Sequence, residues 1–411
     1  NWKQKLRNDW GPSGMKYKWT LKKLSDIAEF NPKESIKKGT MAKKISMEKL
    51  QPFCRDIPGY EITAFTGGTK FRNGDTIMAR ITPCLENGKR AQVSILDDNE
   101  VGFGSTEYIV FRAKKNMTNA DFLYYLVCSP MVREPAVKSM VGSSGRQRAQ
   151  INVIERIEVA VPPLEEQQKI GSVLRALDDK IELNNRINDN LEQQAAAIFR
   201  SWFVNCVPFG GIAPDEWKNV TLEDITAMVS RGITPKYAND TDQIIINQKC
   251  IRNHMIDLSL ARNHRPKVIN DKWLHFGDLL INSTGDGTLG RAAPVWFQPH
   301  NLTVDSHVTI VRPATENLIF YIGLWGTQHE KEIESLHTGS TGQTELPRDR
   351  VKAMKLVLPD SKTLAHFNSV MAPMASAIVT NLEENQRLAN LRDALLPKLM
   401  SGEIDVSSVK L

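Results

Sequence analysis

The sequence predicts a mixed α/β (α+β) architecture: two globules alternating with two long helices, built as a pseudo-two-fold internal repeat. Three observations predict it. Residues 162–203 carry apolar or Asn side chains at alternating spacings of three and four, the narrow seam of a coiled coil. The same seam returns 197 residues further on. The segments before each seam hold short apolar runs between Gly-, Pro- and Asn-rich loops, and these echo one another in order.

The first seam reads Ile170, Leu174, Leu177, Ile181, Asn184, Asn188, Leu191, Ala195, Ile198 and Trp202. Pro162 and Pro163 suit a helix start, where no amide hydrogen is needed, and Glu165 and Glu166 place negative charge at the positive end of the helix dipole. About 40 residues at about 1.5 Å each make a rod of roughly 60 Å. The second seam reads Phe367, Met371, Met374, Ile378, Asn381, Asn385, Leu388, Arg392, Leu395 and Leu399, with only Arg392 out of character. Asn in a seam costs stability but fixes register and partner. The Asn positions lie near mid-helix, so antiparallel pairing would set Asn184 and Asn188 opposite Asn381 and Asn385. The pairing set is then Ile181, Asn184, Asn188 and Leu191 with Ile378, Asn381, Asn385 and Leu388, forming an antiparallel coiled coil. Leu183, Ile187 and Phe199 fall outside the seam, free to pack on partner helices or on the globules.

The repeat extends into the globules. Trp19-x4-Leu24-x-Asp26-Ile27 returns as Trp217-x4-Leu222-x-Asp224-Ile225, and Gly74-Asp75 before an apolar strand as Gly277-Asp278. YIVFR at 108–112 is echoed by VTIVR at 308–312, and the loop GSSG at 142–145 by GSTG at 339–342. Each loop leads to a short strand ending in proline, at 158–162 and 355–359. The expected division is a leader at 1–14, a globule at 15–161, a helix and joint at 162–208, a second globule at 209–359, and a helix and tail at 360–411.

Five scattered cysteines argue for a reducing compartment and against a disulfide framework or a paired-cysteine zinc site. No apolar run reaches the length of a membrane span, and none resembles a signal peptide. The expected location is cytoplasmic. The net charge of +6 is uneven. Residues 15–161 hold 24 Lys and Arg against 16 Asp and Glu, whereas 209–359 hold 16 against 17, with seven of the eight histidines. The first globule therefore suits a polyanion, and the second would bind one through local patches.

Catalytic signatures are lacking. The sequence has neither an Asn-Pro-Pro-aromatic nor an Asp-Pro-Pro-aromatic tetrapeptide of an amino-methyltransferase. Gly285-x4-Gly290-Arg291 misses the Lys and Ser/Thr of a P-loop and reads as a basic loop or surface turn. Cys250, His254 and His264 match no standard zinc spacing, so no metal site is expected. The better candidates are nucleic-acid contacts, because Arg and Lys suit phosphates and guanine edges while Asn and Gln suit adenine edges. In the first globule these are Lys37, Lys38, Lys43, Lys44, Arg72, Arg80, Lys89, Arg90, Arg146, Gln147 and Arg148. In the second they are Lys249, Arg252, Asn253, His254, Arg262, Asn263, His264, Arg265, Arg291 and Gln343. The loop at 142–148 (GSSGRQR) ranks first, since its glycines allow close approach to a phosphate. The alternative for each cluster is a solvated charged face.

VPPLEEQQKI at 161–170 with its long helix, the GSSG and GSTG loops before proline-ended strands, and the two-fold repeat together resemble the specificity subunit of type I DNA restriction-modification enzymes. The resemblance spans nearly the whole chain after Met15, and VLPDSKTLAHF departs from the motif at the second helix. It implies that each globule is a target recognition domain reading one half of a split double-stranded DNA site, with the helices as a ruler. It implies two methyltransferase subunits as partners and restriction subunits that can join them. It also implies no catalytic residue or cofactor in this chain, S-adenosylmethionine being expected on the methyltransferase. A freestanding DNA-binding regulator and an enzyme with an unrecognised site are the alternatives. Unaided DNA methylation would favour the enzyme, and dependence on a partner would favour the scaffold.

Overall fold

The computed structural model describes residues 19–143, 145–265, 270–339 and 344–409. The chain forms two compact units, one of residues 1–183 with 384–411 and the other of residues 184–383. Each unit therefore takes one globule and part of both long helices, Leu164–Phe199 and Ser361–Met400.

In the first unit an antiparallel sheet runs in the order Ala28–Phe30, Tyr108–Ala113, Thr76–Ala79, Arg90–Gln92. A second sheet runs Glu61–Ala64, Met41–Ile45, Gly102–Gly104, Thr69–Phe71, with its middle pair parallel. Thr20–Lys23 pairs antiparallel with Glu158–Val161, which ties the start of the globule to the strand that feeds the helix. Gln167 locks that helix start: its amide nitrogen donates to the carbonyls of Pro162 (2.9 Å) and Met117 (3.1 Å), and its oxygen accepts the Asn119 amide (2.9 Å). The core joins Phe111, Phe122 and Tyr125 to Ile170 and Leu174 of one helix and Leu399 and Met400 of the other.

The second unit repeats this plan. Thr226–Arg231, Val308–Pro313, Leu279–Asn282 and Ala292–Pro294 form an antiparallel sheet of the same order, and Ile244–Ile246 lies parallel to Leu302–Val304 as its counterpart does. Lys218–Thr221 pairs with Lys355–Leu358. The second helix starts without the Glu-Gln motif, but Asp360 replaces it as a cap, accepting the amides of Lys362 (2.9 Å) and Thr363 (3.0 Å). The echoed Gly-Asp and strand-Arg motifs are explained by one contact made twice. Arg112 grips Asp75 with two bonds of 2.7 Å, and Arg312 grips Asp278 with two of 2.8 Å.

Within each unit the helix segments run antiparallel. In the first, Asp178 meets Arg392 at 2.7 Å and Lys180 meets Glu384 at 3.1 Å. In the second, Asn381 donates to the Asn188 side-chain oxygen at 2.8 Å, and Asn188 donates to the Ile378 carbonyl at 3.4 Å. Asn184 and Asn188 are both buried. Arg392, which broke the apolar seam, is thus explained by a buried acid on the facing helix, a position the seam did not mark.

One expectation changes and one alternative is decided. The helix over 162–203 begins at Leu164 and ends its α turns at Phe199, after which Arg200–Val204 forms a π turn. The wider turn lets Phe203 pack on Phe367 (4.8 Å) and Tyr321 (4.9 Å). Of the two places open to Phe199, it takes the globule, buried in the core of the second unit.

Candidate nucleic-acid interface

The two Gly/Ser loops are anchored by the same backbone device. In the first globule, Val141 and Arg148 close the loop with reciprocal hydrogen bonds of 3.1 and 2.9 Å. Its C-terminal arm docks beyond the central strand, where Arg148 bridges Ile81 and the Ala149 amide donates to the Arg80 carbonyl at 2.8 Å. In the second globule, Thr338 and Glu345 close the loop at 2.8 and 2.9 Å, Glu345 bridges Thr284, and the Leu346 amide donates to the Ser283 carbonyl at 2.8 Å. The neighbouring strand supplies a third position, through the Arg80 amide on the Glu107 carbonyl (2.9 Å) and the Ser283 amide on the His307 carbonyl (2.8 Å). The residues that close each loop are therefore clamped to the end of a buried strand, a rigid support for their side chains.

In the first globule this place is an ionic cluster. Glu107 accepts both Nε (3.0 Å) and Nη2 (2.7 Å) of Arg148, and Nε of Arg80 at 3.2 Å. The Arg148 guanidinium, with help from Arg80, holds the Glu107 carboxyl below the usual carboxylate range. Arg146 is exposed with no side-chain partner among the described residues, and Gln147 is half-buried. In the second globule His307 is exposed and its Nδ1 lies 2.8 Å from the Thr284 hydroxyl. Thr284 donates to Gln248 Oε1 at 3.1 Å, and Arg231 pairs with Glu345 at 2.5 Å. Gln343 lies outside the described residues.

The remaining candidates sort by exposure. Lys37, Lys38, Lys249, Arg252, Asn253 and His254 are exposed. Asn253 and His254 occupy left-handed positions (φ 48° and 59°) at the tip of a hairpin, and His254 turns to Glu330 at 3.6 Å. Arg262 stacks on the Tyr237 ring at 3.6 Å, Asn263 donates to the Thr241 carbonyl, and Arg265 pairs with Asp240 at 2.6 Å. Lys44 lines a shallow groove of about 290 Å³ with Ser46, Thr63, Gly67 and Ser105. Lys89 donates to the Met47 carbonyl and Arg291 to that of Gly287. Arg72 bonds Glu34, which also receives Arg112.

Three candidates are corrected. Lys43 is drawn inward by Asp97 (3.0 Å) and Glu100 (2.9 Å). Arg90 is buried, with Nε on the Cys128 sulfur at 2.8 Å and its guanidinium over Phe53. His264 is wholly buried, and burial lowers its pKa, so it is a neutral interior ring. Side chains with so little surface have nothing to offer a groove or a phosphate. Conversely, Gln248, Thr284, Glu107, His307 and Arg231 stand at the loop crossings without being among the sequence candidates. Glu107 and His307 were findable as the residues just before the echoed strands YIVFR and VTIVR.

Among the described residues no cluster of three potential metal ligands forms, and Cys250 is buried away from solvent. Gly285–Gly290 is a turn that runs into a strand rather than a helix, so it lacks the helix N-terminus a P-loop needs. No helix among the described residues is long and apolar enough to cross a membrane.

Comparison with known proteins fits this geometry. Residues 16–193 match the family of the type I restriction modification DNA specificity domain. The chain is 26% identical to the type I restriction enzyme MjaIX specificity subunit of Methanocaldococcus jannaschii, over 71% of this chain and 70% of that protein. It is 24% identical to the HindI specificity subunit of Haemophilus influenzae, over 85% and 89%. The fold is that of the type I restriction-modification S subunit from M. genitalium, with TM-score 0.52 at 14% identity over 95% of this chain and 98% of that one. Over most of its length the chain is thus similar to specificity subunits of type I restriction-modification systems, and its first globule with the start of the first long helix matches that family's DNA specificity domain.

Proposed function

We propose that the globules at 15–161 and 209–359 each read one half of an asymmetric, bipartite double-stranded DNA site. The observation that carries this reading is the pair of clamped loops, which share backbone hydrogen bonds but present different side chains. A common support with different chemistry suits two readers of different half-sites. The helices of 162–208 and 360–411 set the gap between half-sites, because a helix is a stiffer spacer than a flexible linker. Leu183, Ile187, Leu382 and Leu391 remain exposed on them and supply apolar surface for two methyltransferase subunits, which restriction subunits can join. S-adenosylmethionine would then be held by the methyltransferase, with the complex in the cytoplasm.

The test is a methylome. The chain is expressed with its neighbouring methyltransferase subunit in a methylation-free host, and modified bases are mapped by single-molecule sequencing. The expected result is a split motif with a fixed gap, lost when this chain is omitted. A soluble complex that modifies nothing would transfer support to a freestanding DNA-binding regulator.

A further inference from the structure

The loop crossings differ in chemistry where their backbones agree. Glu107 ties down the inner edge of the Arg148 guanidinium through Nε and Nη2. The outer edge, Nη1 with the second Nη2 hydrogen, has no partner among the described residues, and the side chain is 41% exposed. Such a fork is pre-organised: little rotamer freedom is left to lose on binding. It presents two parallel donors and no acceptor. Of the base edges in the major groove, only guanine offers two adjacent acceptors, N7 and O6.

In the second globule the equivalent of Arg148 is Glu345, already occupied by Arg231, whose other terminal nitrogen donates to the Leu346 carbonyl at 3.0 Å. The equivalent of Glu107 is His307, held through Nδ1 by Thr284, which also holds the Gln248 amide. This group offers both donors and acceptors and no open cationic fork. Adenine presents such a mixed edge, an N6 donor beside the N7 acceptor.

We propose that the loop crossings hold the specificity-determining residues: Arg148, positioned by Glu107, reads a guanine in the first globule's half-site, and Gln248 with His307 reads an adenine in the other. This rests on the reading of each globule as the reader of one half-site. It separates Arg148 from the nearby Arg146, which has no buttress among the described residues and has the character of a phosphate contact.

Methylomes of the co-expressed complex carrying Arg148→Ala, Arg148→Lys, Glu107→Gln, Gln248→Ala or His307→Ala decide it. Arg148→Ala and Arg148→Lys are expected to relax a single guanine position in one half-site, with discrimination falling about 5- to 150-fold. The gap and the other half-site stay unchanged, which also reports that the chain is folded. Lys keeps the charge but loses the fork, so restoration of the motif by Lys would mark a phosphate contact and overturn the proposal. Glu107→Gln is expected to relax the same position more weakly. Gln248→Ala and His307→Ala are expected to alter only an adenine position in the other half. A wild-type split motif that none of the Arg148 variants changes overturns this inference alone. Absence of any split motif from the wild-type complex overturns the half-site reading and this inference with it. Should Arg148→Ala fail to assemble, the Lys variant is decisive.

Discussion

Arg392 and Asp178 form a buried ion pair between the two helix segments of the first unit, with side-chain exposures of 13% and 5%. Asp178 also accepts the Tyr125 hydroxyl at 2.6 Å, so both its oxygens are occupied. Replacing Arg392 by Leu restores an apolar seam residue yet strands the carboxylate, and the expected cost is about 3–5 kcal/mol. Asp178→Leu alone strands the guanidinium, with the mostly exposed Asp393 at 2.9 Å left to compensate, and costs a similar amount. The double substitution removes both charges. Replacing a buried pair by apolar side chains stabilises by about 1–4 kcal/mol, against about 1–3 kcal/mol for a Tyr125 hydroxyl left without its acceptor. The net change is near zero, and adding Tyr125→Phe should carry stability above the starting protein. The second unit already contains the uncharged version: Ala195 and Ala375, 197 residues from Arg392 and Asp178, are both buried. Urea unfolding, with hydrogen exchange of peptides in 164–183 and 384–400 to localise the effect, measures all four variants. A double variant destabilised by the sum of the two single losses would refute the reasoning, since it would mean the pair is not what holds the two residues in place.

Arg312→Leu leaves the buried Asp278 carboxylate without its two guanidinium bonds, and we expect a loss of about 3–5 kcal/mol in thermal or urea unfolding of the second unit. A second expectation concerns pH. Burial pushes the Glu192 carboxyl up to about 7 from its ordinary 4.5, against a partial opposing pull from His254. Folding therefore favours the protonated form, so stability falls as pH rises through that interval and is flat above it. His254, raised by its bond to Glu330, adds stability that is complete below its ordinary value and lost as pH climbs through the raised one. Both trends run the same way, and both side chains line a cavity of about 620 Å³. Allowing for its partial exposure, Glu192→Gln should remove about 1–2 kcal/mol of this dependence in melting curves taken across the interval. Arg146→Ala should weaken DNA binding evenly across sequences and reduce the salt slope by about one, while an unchanged slope would remove Arg146 from the phosphate contacts.

Much of the architecture was legible because a repeat doubles every signal. A seam of three-and-four spacings could arise by chance once, but not twice at one offset, Asn pair included. The paired motifs before each strand were equally visible, and their meaning, Arg112 on Asp75 and Arg312 on Asp278, needed only the strands to be set side by side. The interface was read less well. Residue type predicts what a side chain can bind, whereas exposure decides whether it is available. Lys43, Arg90 and His264 have the right chemistry and little or no surface. Glu107, an acid, would be passed over in any search for DNA contacts, although it is what orients Arg148.

By itself, then, the sequence determined the repeat, the two long helices, and the placing of the Gly/Ser loops before the helices. These follow from local periodicity, which is written in neighbouring residues. Tertiary structure alone decided which charges pair across 41 or 214 residues of chain, as Glu107 does with Arg148 and Asp178 with Arg392. It also decided which arginines keep an open donor edge. A guanidinium can satisfy any nearby carboxylate, and which carboxylate is near depends on how strands and loops are packed. That packing turns the same loop backbone into a cationic fork in one globule and an imidazole-amide group in the other.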